Sequence, residues 1–258
     1  MERITDYNKV QPIVEVYTAI QSEGSKNGYP HFIIRTTGCT HRCYFGAGGW
    51  CDTWYTSIHP DKGTFTLNNI KEVFEANPEI THVMITGGSP TMHPALVNEI
   101  IHMAKEIRNM FITIETEGSH FIKTDIPIDL VSLSPKFYNS IPVLGTKTPK
   151  GVDVDQKLID QHNKFRLNYE AIQQSFDYHK DYHFKPVMDR NDPKMWDEIE
   201  AFRVKMNIPK NKTWVMPAGD TREAVIPNYT YVLDECIKRG YNFTGRAHIV
   251  AFNDQREV

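Results

Sequence analysis

The segment H-F-I-I-R-T-T at 31–37 runs directly into Gly38-Cys39. Apolar, β-branched and aromatic residues in so short a run predict a strand, and the glycine marks its end. The same pattern recurs along the chain. Strands are expected at 82–86 (HVMIT), 111–115 (FITIE), 130–133 (LVSL), 184–188 (FKPVM) and 214–216 (WVM), with amphipathic helices at 67–76, 95–108, 155–178, 194–206 and 228–239. Asn69, Asp155 and Asn228 suit helix starts, and Gly240 follows the last helix as a stop signal. This alternation predicts an α/β protein with a mostly parallel sheet and helical crossovers, either an open doubly wound sheet or a full or partial (β/α) barrel.

In such folds chemistry collects at the carboxyl ends of the strands. Unusual residues fall there: Thr36-Thr37-Gly38-Cys39, Thr86-Gly87-Gly88-Ser89-Pro90, Glu115-Thr116-Glu117-Gly118 and Ser134-Pro135-Lys136. Four strand ends therefore point to one site. No repeat, low-complexity tract or Gly/Ser linker divides the chain, so one domain over 1–258 is expected, with 139–153 as a mobile loop rich in turn formers.

Composition narrows the function. The chain has 258 residues, 40% hydrophobic and 24% charged, which excludes a disordered or collagen-like protein. Its 29 Lys and Arg against 32 Asp and Glu leave a net charge of −3, with no global positive field for nucleic acid or an anionic membrane. A polar or charged small molecule is the expected partner. Residues 1–7 hold no apolar run that could be a signal peptide, and a reducing cytoplasmic compartment is expected.

Four cysteines are too few for a disulfide scaffold in a chain this long. Cys39, Cys43 and Cys51 share one loop after the first strand, where crowded thiolates call for a cation: Zn²⁺ or an iron–sulfur cluster. His41 or His59 would complete a zinc site. Cys236, in the last helix, reads as a core cysteine. Three thiolates alone suit a [4Fe–4S] cluster with one iron left open.

The cysteine loop, the Gly-Gly-x-Pro turn and the β/α alternation resemble radical S-adenosylmethionine (SAM) enzymes. Further motifs narrow the likeness to the 7-carboxy-7-deazaguanine synthases: EVYTAIQSEG at 15–24, Arg35 in a strand ending at Gly38-Cys39, Trp50-Cys51-Asp52-Thr53, Thr86-Gly87-Gly88, Ile114-Glu115-Thr116 with Gly118, and VSLSPK at 131–136. The likeness spans about Val14 to Lys136 and returns near His248.

The resemblance implies a radical SAM partial (β/α) barrel, with a cluster loop at 38–54 and a tail at 245–258 closing the active site. It implies a lyase that converts 6-carboxy-5,6,7,8-tetrahydropterin to 7-carboxy-7-deazaguanine with loss of ammonia, in queuosine-type 7-deazapurine biosynthesis. Cys39, Cys43 and Cys51 would hold a [4Fe–4S] cluster, and Thr53 would ligate Mg²⁺. Trp50, Gly87, Gly88, Ser134, Pro135 and Lys136 would bind SAM. Ile20, Gln21, Ser22, Glu23, Arg35, Thr86, Glu115 and His248 would bind the pterin. Arg35 suits a carboxylate as a two-pronged donor, and Gln21 and Glu23 suit the pterin's hydrogen-bonding edge. An electron donor such as a flavodoxin or ferredoxin and a homodimer are implied as well.

Two features depart from the family. The gap from Cys43 to Cys51 is seven residues and Gly-rich where two are usual. Ser89 stands where the family has a Glu that receives the SAM amino group, and a hydroxyl offers no full negative charge. The backbone of Gly87 and Gly88 would then do more of the holding. Two other readings stay open: a radical SAM enzyme acting on a different heterocycle, and a zinc-binding interaction module.

Overall fold

The computed structural model describes residues 3–45 and 49–258, so Met1, Glu2 and the Gly46-Ala47-Gly48 part of the expanded cysteine loop lie outside the described residues. The core is a six-stranded sheet in simple sequence order, β1 (Ile13–Ile20), β2 (Pro30–Thr36), β3 (His82–Gly87), β4 (Phe111–Thr116), β5 (Leu130–Leu133) and β6 (Tyr182–Phe184). β1 pairs antiparallel to β2 and the other neighbours are parallel. A second parallel sheet joins β7 (Val187–Met188), β8 (Trp214–Pro217) and β9 (Asn242–Phe243), and a bridge from Phe184 to Thr213 connects it to β6. The result is the expected parallel, partial-barrel α/β architecture.

The outer face of the sheet carries Phe32, Ile34, Val83, Ile85, Ile112, Ile114 and Val131. It packs against α1 (Leu67–Ala76) and α2 (Pro94–Arg108), whose apolar stripes supply Ile70, Phe74, Val97 and Ile101. A second core gathers Phe184 with Ile199 and Phe202 of α5 (Met195–Lys205) and Val232 and Cys236 of α6 (Arg222–Arg239). Because strand residues alternate in direction, the opposite face is left to the alternate residues, where polar groups stand beside Ile33, Met84 and Leu130. In register the polar groups form a row across the sheet: Glu15 beside Arg35, Arg35 beside Thr86, Glu115 beside Ser132, and Ser132 beside His183.

Several elements differ from the sequence expectation, each for a local reason. β1 is an added antiparallel edge strand that the pattern of apolar runs does not predict, built largely from the EVYTAIQSEG motif. The expected helix 155–178 is two, α3 (Gln156–Phe165) and α4 (Tyr169–Tyr178), broken where Leu167 turns to φ +61° and Asn168 caps α4. The expected strand 184–188 is interrupted at Lys185-Pro186, since proline has no N–H for the ladder. α6 starts at Arg222, capped by Thr221, and runs through Pro227. Asn228 is thus inside the helix, buried, and donates to the Ala218 carbonyl. Asn69 and Asp155 do serve helix starts, and Gly240 ends α6 at φ +70°. A final short helix, α7 (Ala247–Phe252), lies in the tail. The segment 139–153 folds back on itself through a Lys147–Asp153 bridge. Among the described residues no helix is long and apolar enough to cross a membrane.

Burial pushes the pKa of His31 and His179 down to about 4 and that of His162 and His183 to about 3. Each takes up a proton in the unfolded chain below about pH 6.5 but stays neutral in the fold, so stability is full above that pH and is lost as pH falls toward 4. The expected loss at about pH 5 is about 2 kcal/mol per histidine. Thermal melts between about pH 7.5 and about pH 5 should show a steep fall in Tm; a flat profile would contradict the burial of these rings.

Candidate active site

The four strand ends meet as expected. The Ser89 N–H donates to the Gly38 carbonyl at 2.7 Å, the Gly88 N–H to Thr36 at 3.1 Å, and the Ser134 N–H to Thr116 at 2.8 Å. The glycine pair is required by this packing. A Cβ on Gly88 would stand 2.3 Å from the Gly38 carbonyl oxygen and 2.6 Å from that of Thr56, and one on Gly87, at φ +143°, would stand 2.2 Å from that of Thr36. The β3 turn and the cysteine loop are in backbone contact, which only glycine permits.

Cys39, Cys43 and Cys51 lie in this loop as free thiols, and the Cys51 N–H donates to the Cys43 carbonyl at 3.1 Å. Burial raises the pKa of all three. Glu117 and Cys43 add to the rise at Cys39, and Asp52 adds to it at Cys51. At Cys43 Lys136 opposes burial while Cys51 reinforces it. A metal group in place of the thiol protons relieves every one of these penalties, so the donor set fits an iron–sulfur cluster. Thr53 Oγ1 is 3.3 Å from Cys51 Sγ. Among the described residues the trio of ligand atoms lying within 4.8 Å of one another is Cys39, His41 and Glu117, not the three cysteines. His59 is instead at 2.9 Å from Thr148, and Cys236 is a buried core residue of α6.

Of the residues expected to bind SAM, Ser134 is buried and accepts from Lys136 Nζ at 3.2 Å. Pro135 and Lys136 line a small cavity with Phe45 and Met195. Trp50 packs on Tyr44 and donates its indole N–H to the Lys147 carbonyl at 2.9 Å, tying the cysteine loop to the 139–153 segment.

The residues expected to bind substrate converge on two cations the sequence did not single out. Lys185, only 2% exposed, is bonded to both Glu23 and Glu115. Thr86 donates to the other oxygen of Glu115 at 3.0 Å. Arg246 donates to Glu23 at 3.0 Å and to Asp52 at 2.8 Å, and His248 Nε2 is 4.0 Å from Glu23. Burial alone would raise the Glu23 pKa, but Lys185, Arg246 and His248 together hold it below its usual value. Burial would likewise lower Lys185, and Glu115 and Glu23 outweigh it and keep the ammonium charged. From Asp52, exposed at the outer end, the charges thus alternate inward through Arg246, Glu23 and the buried Lys185 to Glu115, which Thr86 caps with a hydroxyl. The tail joins this network through Arg246, and Arg256 lies 3.6 Å over the Tyr55 ring.

Gln21 closes the end of β1, its Oε1 accepting from the N–H groups of Ser22 and Glu23 and its Nε2 facing Met84 Sδ at 2.7 Å. Ile20 is half exposed, and its carbonyl accepts from Ser22 Oγ. Arg35 is partly committed inside the protein: Nε donates to Glu15 at 2.5 Å, while Tyr55 holds the other Glu15 oxygen at 2.8 Å. Lys185 carried a sequence signal that went unread, since it continues the alternation of His183 past Phe184. Arg246 carried none, because it meets Glu23 from 223 residues away.

The Radical SAM superfamily profile matches residues 33–189. A 7-carboxy-7-deazaguanine synthase from Halobacterium salinarum is 30% identical over 253 residues, covering 96% of this chain and 92% of that protein. One from Rhodopirellula baltica is 29% identical, covering 95% and 87%. The crystal structure of QueE from Escherichia coli matches the fold with a TM-score of 0.57 at 19% identity, covering 91% of this chain and 92% of that one.

Proposed function

This chain belongs to the radical SAM superfamily and, within it, to the 7-carboxy-7-deazaguanine synthase family, and on that premise we propose how its residues divide the work of converting 6-carboxy-5,6,7,8-tetrahydropterin to 7-carboxy-7-deazaguanine. The observation that carries the reading is the position of the three thiols at the carboxyl end of the sheet, beside a network of charges on the polar face. Cys39, Cys43 and Cys51 would hold the [4Fe–4S] cluster, with SAM between that loop and Gly87, Gly88, Ser134, Pro135 and Lys136. Bound there, the cluster and SAM supply one-electron chemistry that forms a carbon-centred radical.

The chain's own residues bind, orient and shield. Glu23 and Glu115, fixed by Lys185, present carboxylate oxygens to the amino groups of the pterin edge, and Gln21 adds an amide. Arg35 has donors left beyond its bond to Glu15, and these suit the substrate carboxylate. Thr53, next to Cys51, would contribute one oxygen to a Mg²⁺ whose other ligands come from substrate and water. The tail from 245 onward, anchored by Arg246, would cover the site and keep water away from the reacting atoms. A flavodoxin- or ferredoxin-class donor and a homodimer belong to the same reading.

Anaerobic reconstitution with iron and sulfide should give a brown protein that consumes the tetrahydropterin in the presence of SAM and Mg²⁺, with the deazaguanine identified by mass spectrometry. A reconstituted protein that cleaves SAM but leaves this pterin untouched would favour another heterocycle. The Cys39–His41–Glu117 trio supports a second reading, a single zinc ion, and a protein that carries zinc and takes up no iron would establish it over the first.

A further inference from the structure

We propose that Glu117 receives the α-ammonium of SAM, its carboxylate held in place by Ser89 and Ser119. This rests on the reading of the site as a SAM site and adds to it a residue that was not among those expected to bind the cofactor. Among the described residues three carboxylates are buried: Glu15, Glu99 and Glu117. Glu99 is paired with Arg3 at 2.6 Å and Glu15 with Arg35 at 2.5 Å. The partly open acids of the site, Glu23, Glu115 and Asp52, are paired with Lys185 or Arg246. Glu117, 5% exposed, is the exception. Among the described residues its ion-pair neighbour is His41 Nδ1 at 3.8 Å, beyond hydrogen-bond reach, with no lysine or arginine in range.

The two oxygens of Glu117 are not equivalent. Oε1 accepts from Ser89 Oγ at 2.6 Å and from Ser119 Oγ, with Thr40 Oγ1 at 3.4 Å. Oε2 is shielded from solvent and has no partner among the described residues. A buried carboxylate with an open oxygen and no cationic hydrogen-bond partner is costly unless a cation arrives with a ligand. Glu117 faces the cysteine loop, with a ligand atom within 4.8 Å of Cys39 Sγ. A SAM molecule seated against that loop brings an ammonium to this side. Ser89 offers only a hydroxyl to that ammonium; the charge comes instead from the end of the neighbouring strand, and the hydroxyl orients it. The Glu117 hydroxyl contacts leave Oε2 as the acceptor.

The test is SAM binding to the anaerobically reconstituted protein, measured by equilibrium dialysis beside an analogue lacking the α-amino group. Glu117→Gln keeps the shape and removes the charge. SAM affinity should fall about 10- to 100-fold, as loss of a charge-assisted hydrogen bond implies, while the analogue should bind wild type and variant within about 2-fold. Unchanged SAM affinity, or an equal loss for both ligands, would overturn the proposal. Should the variant fail to load its cluster, Ser89→Ala tests the same point: a smaller loss confined to SAM supports the proposal, and equal losses refute it. Wild-type protein that binds iron but not SAM would sink the proposed function itself, a distinct result. Zinc bound in place of iron by wild type and released by Glu117→Gln would replace the proposal with an ion site.

Discussion

Cys39→Ala, Cys43→Ala and Cys51→Ala should each give a protein that folds, takes up little iron and makes no detectable deazaguanine. The three thiols come from one loop whose backbone, apart from a bond from the His41 N–H to Cys39 Sγ at 3.3 Å, is set by contacts that do not involve sulfur: Gly38 N–H to Thr56, Cys51 N–H to Cys43, and Trp54 N–H to the Cys51 carbonyl. Removing one sulfur therefore leaves the loop in place while deleting a metal ligand. Melting temperatures of the metal-free proteins should change little, because each thiol sits in the apo protein as a protonated group whose burial disfavours its charge. Iron content and visible absorbance of the reconstituted proteins are the measurements. A Cys51→Ala protein with wild-type iron content and turnover would exclude that residue as a ligand.

Lys185→Met carries the second large effect, and it acts on fold and function together. The ammonium is the shared partner of Glu23 and Glu115, and its removal leaves Arg246 facing Glu23 and nothing cationic bonded to Glu115. Breaking a buried pair in this way costs about 3–5 kcal/mol. The melting temperature should drop markedly, and turnover should fall about 100-fold or more as the two carboxylates proposed to face the substrate lose their alignment. A variant with wild-type melting and turnover would show that the network is neither structural nor functional.

The strands that could be read from sequence are those buried on both faces. Residues 82–86, 111–115 and 130–133 are short apolar runs with turn formers behind them, and the structure places each within a residue or two. What escaped was set by long-range contact. β1 is half exposed on one side, so its pattern is diluted, and the break between α3 and α4 depends on one left-handed Leu167 that no residue preference marks. The last long helix was expected to start at Asn228, yet Pro227 just before it lies in the second turn of a helix whose start is held by the Thr221 cap and by Asn253, which accepts from the Arg222 N–H at 2.7 Å. At the site the strand-end motifs brought the cysteines, glycines and Glu115 into view. Glu117 stood in a strand-end motif and Lys185 in a strand alternation, but their roles, like that of Arg246, are defined only in three dimensions, because they lie in which charge each one faces.

The placement of Arg246 bears on the order in which this molecule can be assembled. The acids it neutralises, at 23 and 52, are made well before the guanidinium, which follows them by 223 and 194 residues. A growing chain can form the first strands and the cysteine loop long before that counter-charge exists. Electrostatic balance around Glu23 and Asp52 is therefore reached only after residue 246 has been made, and it ties distant parts of the polypeptide together through a pair of ionic contacts.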